Sequence, residues 1–325
     1  MNLPSGFGGN QRSGTPALEV LLKRGASVES IHRAQAVVCD GRGRVLMRAG
    51  SADFETFIRS ALKPFQALPF ISSGAAEQVN SGERGLAICC GSHSGTAMHA
   101  REAFRLLWNA DLETSLLQCP VPDGSSSPLE HNCSGKHAAF LVTCRKMGWP
   151  VDTYLQGDHP LQKEVNRRVA ELLGLPVEEL LAARDDCGAP TLRLQLSQMA
   201  LLYAHLGASE CAELEQVSRA MLAHPELVAG EGRFDTELIR RAHGQIASKG
   251  GAEGVQCLSR IGEGMGIAIK VEDGSRRAKQ AVALHLLRQL DWLTPMALEE
   301  LEEQILLLGP GVQLEVQGEL RFQES

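Results

Sequence analysis

Hydrophobic positions show a β pattern near both ends of the chain. The β-rich run 34–39, the turn residues 40–43 and the strand-like run 44–47 predict a hairpin. Three further short strands, separated by glycine-rich turns, are predicted over 245–249, 255–260 and 266–271. Both ends of the chain therefore contribute strands.

The middle of the chain has the opposite pattern, with apolar residues recurring every three or four positions. This period predicts helices over 64–73, 100–108, 138–146, 160–173, 177–184, 195–205, 212–223 and 236–243. After the late strands, a long helix is predicted over 277–290, and the C-terminal segment predicts another helix followed by short strands.

These elements predict an α+β fold, with an antiparallel sheet built from both chain ends and a helical lobe inserted between them. We expect a flexible tail over 1–15 and one domain over 16–325. Within it, the sheet lobe covers about 16–55 and 244–325, and the helical lobe covers about 56–243. A binding site is expected in the cleft between the two lobes.

Composition narrows the class of protein. The 325 residues are 43% hydrophobic and 22% charged, with a net charge of −7, which argues against a nucleic-acid or membrane partner. The apolar stretch 17–22, interrupted by Glu19, is too short for a signal-peptide core or a membrane span. Nine cysteines, an odd number, fit a reducing cytosol better than a disulfide framework, so a cytoplasmic protein is predicted.

Ser60 and Lys63 are the first candidate catalytic pair. Residues three apart share a helix face, so the lysine amine can reach the serine hydroxyl and act as its base if its pKa is lowered. Pro64 is tolerated only in a first helical turn, which puts Ser60 at a helix N-terminus, where N–H groups favour an oxyanion. The pattern alone also fits an ordinary surface pair.

Three later segments add chemistry. Ser92 and His93 lie in the loop 90–95, which fits either a proton relay or a capped turn. Cys133, Lys136 and His137 lie in 132–137, and Asp185 and Cys187 lie in 185–188; these fit either a zinc site or isolated buried cysteines. Lys249 precedes two glycines and fits either a cleft lysine or a plain strand end.

Taken in order, these motifs resemble the zinc-associated serine-lysine asparaginases, the rhizobial-type or asparaginase II family. The resemblance extends over about 24–291. It is carried by the segments 28–33, 59–69, 92–95, 132–137, 224–230, 232–236 and 251–255. It implies a fold similar to serine β-lactamases and penicillin-binding proteins, and suggests a homodimer.

The resemblance also implies roles for individual residues. The nucleophile corresponds to Ser60 with Lys63 as its base, and a second pair corresponds to Ser92 and Lys249. One zinc ion would be bound by Cys133, Lys136 and Cys187. Substrate contacts are expected from Arg59, His93, His137 and Asp185.

Two positions depart from the family pattern. Asp186 stands where glycine is common, and it is expected to add negative charge beside the metal. Thr96 stands where an acidic residue is common, which bears on substrate preference.

The resemblance predicts hydrolysis of L-asparagine to L-aspartate and ammonia through an acyl-enzyme. Two alternatives stay open at this point. The first is a related serine-lysine hydrolase acting on glutamine or β-lactam rings, and the second is a zinc-stabilised binding protein without turnover.

Overall fold

The computed structural model describes residues 15–323. The tail predicted over 1–15 therefore lies outside the described residues, apart from Thr15. The strands are β1 Leu18–Arg24, β2 Ser27–Asp40, β3 Val45–Ala49, β4 Glu55–Phe57, β5 Leu181–Arg184, β6 Pro190–Gln195, β7 Ile246–Gly250, β8 Val255–Arg260, β9 Met265–Val271, β10 Val312–Gln317 and β11 Arg321–Phe322.

Most of the helices lie between β3 and β7. They are α1 Lys63–Gln66, α2 Leu68–Ser72, α3 Ala75–Gln78, α4 Gly82–Cys90, α5 Ala97–Trp108, α6 Ser134–Met147, α7 Pro160–Leu173, α8 Leu196–Ala208, α9 Ala212–Ala223, α10 Pro225–Val228, α11 Phe234–Arg241, α12 Arg276–Gln289 and α13 Pro295–Ile305. Short 3₁₀ turns cover Arg59–Leu62, Thr114–Leu116, Pro128–Glu130 and Val177–Glu179.

The main sheet has eight strands in the order β10-β1-β2-β9-β8-β7, with β3 pairing β2 and β11. Every neighbouring pair in it is antiparallel. The long strand β2 pairs β1 through its first half and β3 through its second half, while β9 lies along its other edge. The mixed fold with an antiparallel sheet is thus confirmed, and strands from both chain ends form that sheet.

Two hydrophobic cores lie on opposite faces of the sheet. Along β2, Val37 and Cys39 pack into the core that contains α8, whereas Ala36 and Val38 pack into the core that contains α12. Side chains alternate between faces along a strand, so a sheet covered on both faces needs apolar residues at every position. This is why the run 36–39 is apolar at every position rather than alternating.

The sequence missed or misplaced several elements of the helical region. The helix predicted over 177–184 is wrong, because only Val177–Glu179 forms a 3₁₀ turn and Leu181–Arg184 is a strand. That strand pairs β6, and β6 pairs β4, so tertiary partners override the local helix propensity. The pattern also missed β1 and α4.

The late strands and several helices agree with the sequence pattern. The predicted hairpin is formed by β2 and β3, and the strand predicted over 255–260 is β8. The helices predicted over 160–173 and 212–223 match α7 and α9. Within residues 15–323, none of the helices combines the length and the apolar character needed to cross a bilayer.

Candidate active site

Ser60 lies in a tight turn that begins with a strained residue. Arg59 has a φ of 54°, the left-handed region that non-glycine residues rarely occupy, at a cost of about 1–2 kcal/mol. The turn Arg59–Leu62 leads directly into α1, whose second residue is Pro64. Helical angles at Lys63 persist although a proline follows it. The strained residue turns the chain so that Ser60 lines a cavity of about 260 Å³.

Side-chain contacts hold Arg59 in its strained conformation. Its backbone N–H donates to Thr191 Oγ1 at 3.0 Å, and its guanidinium donates to Asp185 at 2.9 Å and to Asp186 at 2.6 Å. The side chains of Arg59 and Asp185 are only 14% and 11% exposed. Hydrogen bonds to charged groups contribute about 1.5–3 kcal/mol each, enough to offset the backbone strain. Arg59 and Asp185 thus position the turn Arg59–Leu62, which is called the nucleophile turn after the role predicted for Ser60.

Lys63 is buried, with 1% of its surface exposed. Its amine donates to Gly91 O, to Ser92 Oγ at 3.0 Å and to Asn132 O at 3.3 Å. Three acceptors match the three protons of an ammonium group. No hydrogen bond joins Lys63 Nζ to Ser60 Oγ among the described residues, which corrects the expectation of direct contact between them.

Lys249 lies at the sheet edge of the cavity and is fully buried. Its amine donates to Ser92 Oγ at 2.8 Å and to Gly250 O at 2.7 Å. Burial lowers the pKa of Lys249 to about 7, against the opposing effect of Asp235 and with help from Lys63 and Lys279. A lysine with this pKa supplies a free amine near neutral pH.

Ser92 Oγ therefore contacts both lysine amines. It lines the same cavity as Ser60 and Lys249. The loop is held in place because α6 packs tightly on α4. A β-carbon at Gly135 would lie 2.2 Å from Ile88 O, so only glycine fits there. This close approach brings Asn132 beside Ser92 in the cavity wall.

Several residues that line the cavity have a backbone N–H group with no hydrogen-bond acceptor in the described part of the chain. Two of them are Ser60, in the nucleophile turn, and Ala252, in the β7–β8 loop. N–H groups aimed at developing negative charge are the usual way to stabilise a tetrahedral oxyanion. The arrangement offers one donor from each side of the cavity.

His93 is buried and neutral. Burial lowers its pKa well below the usual range. Its Nε2 lies 3.0 Å from Ser134 Oγ, which itself donates to Leu129 O, so Nε2 carries the proton, while Nδ1 accepts from Gly95 N–H. All its polar atoms are engaged in holding the loop, and it is not part of the wall of the Ser60 cavity in the described chain.

A second buried cluster lies beneath the cavity. Lys136 Nζ donates to Cys187 Sγ at 3.1 Å. The pKa of Cys133 lies well below its usual value, first because Cys187 hydrogen-bonds to it and then because Lys63 and Lys136 are close. Burial alone would lower the pKa of Lys136, but the nearby sulfur groups of Cys187 and Cys133 outweigh burial and raise it. The three predicted metal ligands therefore lie together.

The donor set of this cluster fits a soft dication. The set consists of two thiols, one of which favours its thiolate form, and one amine. The amine carries the positive charge that a metal would otherwise supply. His137 Nε2 is buried without a partner, while its Nδ1 contacts Tyr154 Oη at 2.7 Å. No group of three or more His, Cys, Asp or Glu side chains within residues 15–323 has a metal-binding arrangement, so a site here requires the lysine nitrogen.

The two departures from the family pattern have structural roles. Asp186 is 90% exposed and pairs with Arg59, so its charge is directed to the nucleophile turn rather than to the cysteine cluster. Thr96 caps α5 through a reciprocal contact with His99.

None of the four predicted substrate contacts is among the described residues that line the cavity. Arg59 and Asp185 bind each other, His93 holds a loop, and His137 contacts Tyr154. Their assignment to substrate binding stays a prediction. The sequence reasoning assigned no role to Arg233, Asp235, Gln256, Arg276 and Lys279, which do line the cavity. Arg233 and Asp235 lie within the matched segment 232–236, which could have indicated them.

Comparison with known proteins gives one strong match. A sequence model of the L-asparaginase II family matches residues 20–322. No curated protein sequence matches this chain.

The similarity to solved structures is weak. Mglu in its native form is 14% identical over 80% of this chain, with a TM-score of 0.46, and this chain covers 64% of Mglu. A Bacillus glutaminase is 13% identical over 80% of this chain and 91% of its own, with a TM-score of 0.37. A β-lactamase from Mycobacterium bovis is 12% identical over 80% of this chain and 95% of its own, with a TM-score of 0.37. These scores are too low to define a shared fold.

Proposed function

The chain belongs to the L-asparaginase II family, and we propose that it hydrolyses the side-chain amide of L-asparagine to L-aspartate and ammonia. The observation that carries this proposal is the contact of Ser92 Oγ with both Lys63 and Lys249, in the cavity that Ser60 lines. Ser60, which makes no side-chain hydrogen bond to a described residue, is the nucleophile.

The first half-reaction forms an acyl-enzyme. Lys249, as the free amine, receives the Ser60 proton through the Ser92 hydroxyl while Ser60 Oγ attacks the amide carbon. Lys63 holds Ser92 in place through its hydrogen bond to Ser92 Oγ, which differs from the role of direct base first expected for Lys63. The N–H groups of Ser60 and Ala252 stabilise the oxyanion. The C–N bond then breaks, and Ser92 passes the proton from Lys249 to the departing nitrogen, which leaves as ammonia.

The second half-reaction reverses these proton transfers. Water attacks the acyl carbon and gives its proton to Lys249 through Ser92. The bond to Ser60 Oγ breaks, and the serine recovers its proton as the carboxylate product leaves. We further propose that the arrangement of Ser60 with Lys63, of Ser92, and of Lys249 with Gly250 is related to that of the serine β-lactamases. We also propose that the enzyme is a cytoplasmic homodimer.

One zinc ion per chain is part of the proposal, bound by Cys133, Lys136 and Cys187. When bound, the ion would neutralise the two thiolates and stiffen the wall beneath the cavity. The serine already supplies a nucleophile, and two thiolates weaken the Lewis acidity of the metal, so water activation is left to Lys249.

Elemental analysis tests the zinc site. We expect about one zinc per chain in the purified protein, and its loss in Cys133→Ser and Cys187→Ser, because a structural site needs its full ligand set. Cys211→Ser is the control, since Cys211 lies apart from the cluster and is less buried. Zinc that is absent from the wild type, or retained in both ligand variants with intact circular dichroism, contradicts the assignment.

An assay of the pure protein tests the reaction. We expect equal amounts of ammonia and aspartate from L-asparagine, with slower release of ammonia from L-glutamine and no opening of a β-lactam ring. A faster reaction with glutamine or a β-lactam would favour the related serine-lysine activity. No turnover of any of the three would favour a zinc-stabilised binding protein.

A further inference from the structure

One part of the cavity wall is rich in cations. Arg233, Arg276 and Lys279 line it together with Lys249. Arg233 immediately precedes α11, and Arg276 is the first residue of α12. Lys279 lies three residues further along α12, so its side chain and that of Arg276 share one helix face.

Neither arginine has a side-chain partner among the described residues. The guanidinium groups of Arg233 and Arg276 make no hydrogen bond or ion pair with any residue in the described range, although both residues are solvent-accessible at the cavity mouth. By contrast, the neighbouring Arg277 donates to Ser30 Oγ at 3.3 Å. Partial burial, and then the nearby charge of Arg276, lowers the pKa of Arg233, which indicates like charges facing each other.

The carboxylates of the cavity do not neutralise these cations. Asp235 is buried, and it accepts hydrogen bonds from Ser248, from Gly250 N–H and from Gln256. Its oxygens are therefore committed to fixing β7. Glu253 lies at the exposed lip of the cavity and is the second carboxylate there. With Lys249 as the free amine, three cations and two carboxylates still leave the cavity with an excess of positive charge.

The cationic wall lies close to the reacting atoms. Lys279 Nζ donates to Gly251 O at 3.2 Å, and Lys249 Nζ donates to the adjacent carbonyl, Gly250 O, at 2.7 Å. Lys279 Nζ is also 3.0 Å from the position of a β-carbon on Gly250. These two carbonyl groups belong to adjacent residues, and one to two residues of extended chain span roughly 3–7 Å. In an amino acid with a side-chain amide, three or four carbon–carbon bonds, about 4–5 Å, separate the amide carbon from the carboxylate.

We propose that Arg233, Arg276 and Lys279 form a subsite for the free carboxylate of the substrate. The subsite, which rests on the hydrolysis proposed above, restricts the enzyme to amides that carry a carboxylate three or four bonds from the amide carbon. The guanidinium group of arginine suits this ligand because it can bind a carboxylate through two parallel hydrogen bonds. The subsite also orients the amide carbon toward Ser60.

Steady-state kinetics with two substrates tests the subsite. L-asparagine is compared with 3-aminopropanamide, which is asparagine without its carboxylate. The wild type should strongly prefer asparagine. Arg233→Ala and Arg276→Ala should each raise KM for asparagine by about 10-fold or more, with kcat changed only a few-fold, because each removes a charge-assisted contact. Activity on 3-aminopropanamide should not change, and the double variant should lose the preference.

The control variants separate this role from a structural one. Arg277→Ala should behave as the wild type, and Arg233→Lys should recover part of the preference for asparagine. A double alanine variant that keeps the preference overturns the subsite. Equal losses on both substrates also overturn it, since such losses mean a damaged fold or catalytic centre.

Calorimetry with L-aspartate separates this inference from the proposed reaction. The wild type should bind L-aspartate, and Arg233→Ala with Arg276→Ala should weaken that binding by about 100-fold or more. Arginine-dependent binding without ammonia release from asparagine would overturn the hydrolysis proposal and support the subsite. L-aspartate that fails to bind the wild type, or binds both proteins equally, overturns the subsite.

Discussion

Ser60→Ala should lower ammonia release from L-asparagine by roughly 10⁴-fold or more while the fold stays intact. The hydroxyl is the only group of the nucleophile turn that can form the acyl-enzyme in the proposed mechanism. Its loss removes no hydrogen bond that the structure describes, so stability should change little. The measurement is kcat with asparagine, together with thermal unfolding of the same preparation.

A matched serine variant gives the control for this result. Ser126 is exposed, and its hydroxyl contacts only Glu130, at 3.4 Å. Ser126→Ala should therefore keep full activity. A Ser60→Ala enzyme that turns over within tenfold of the wild type would remove Ser60 from the nucleophile role, whatever the behaviour of the lysines.

Lys249→Met should lower kcat by roughly 10³-fold or more, because the amine is the proton acceptor of both half-reactions. Methionine has a similar length and no charge, so the side chain can still fill the buried position. Loss of activity with an intact fold is the expected result, measured by ammonia release and circular dichroism. A variant with nearly full activity would shift the role of base to Lys63.

The pH dependence of the wild type is a second readout of the same residue. Lys249 acts as the free amine, and its pKa is lowered to about 7, so kcat/KM should fall as the pH drops below about 7. The charges that set this value come from several elements. Lys63 of α1 and Lys279 of α12 lower the pKa, while Asp235 of α11 and Cys133 before α6 raise it. Asp235→Asn should therefore move the acid limb to lower pH.

Stability should depend on pH through the same lysine. Between about 7 and the usual value of 10.5, the unfolded chain binds a proton on Lys249 that the folded chain does not. The free energy of unfolding therefore gains from this group as the pH rises through that window, by up to about 5 kcal/mol. Lys249→Met removes this dependence, so the variant should be at least as stable as the wild type at pH 6. A variant less stable at pH 6 than at pH 9, relative to the wild type, contradicts this.

The sequence alone predicted the chemistry of the site because the groups involved lie in short local motifs. Ser92 and Lys249 each stand beside a glycine, Ser60 lies four residues before Pro64, and all three line one cavity. The cysteine and lysine side chains of the second cluster also lie together as expected. Sequence spacing could not give the partner of each lysine. The amine of Lys63 contacts Ser92 because α4 and α6 pack closely, and that packing joins residues far apart in the chain.

The cationic wall of Arg233, Arg276 and Lys279 shows the same limit of sequence-based reasoning. Arg233 precedes α11 and Arg276 begins α12, and neither has a local signature that separates it from the other arginines of the chain. Only their shared cavity, and the absence of partners among the described residues, distinguishes them. Arg59 is the reverse case. The sequence predicted it as a substrate contact, but its guanidinium donates hydrogen bonds to Asp185 and Asp186.

The amino-acid pattern by itself determined the class of fold and predicted the reactive groups. Periodicity and turn residues act over a few positions, so they define the hairpin of β2 and β3, the late strands and helices such as α7 and α9. The tertiary structure decided what depends on long-range pairing. It converted 181–184 from a predicted helix to a strand, covered both faces of the sheet, and placed two lysines on one serine hydroxyl. The physical reason is that burial and neighbouring charge, which set pairing and pKa, come from residues distant in the chain.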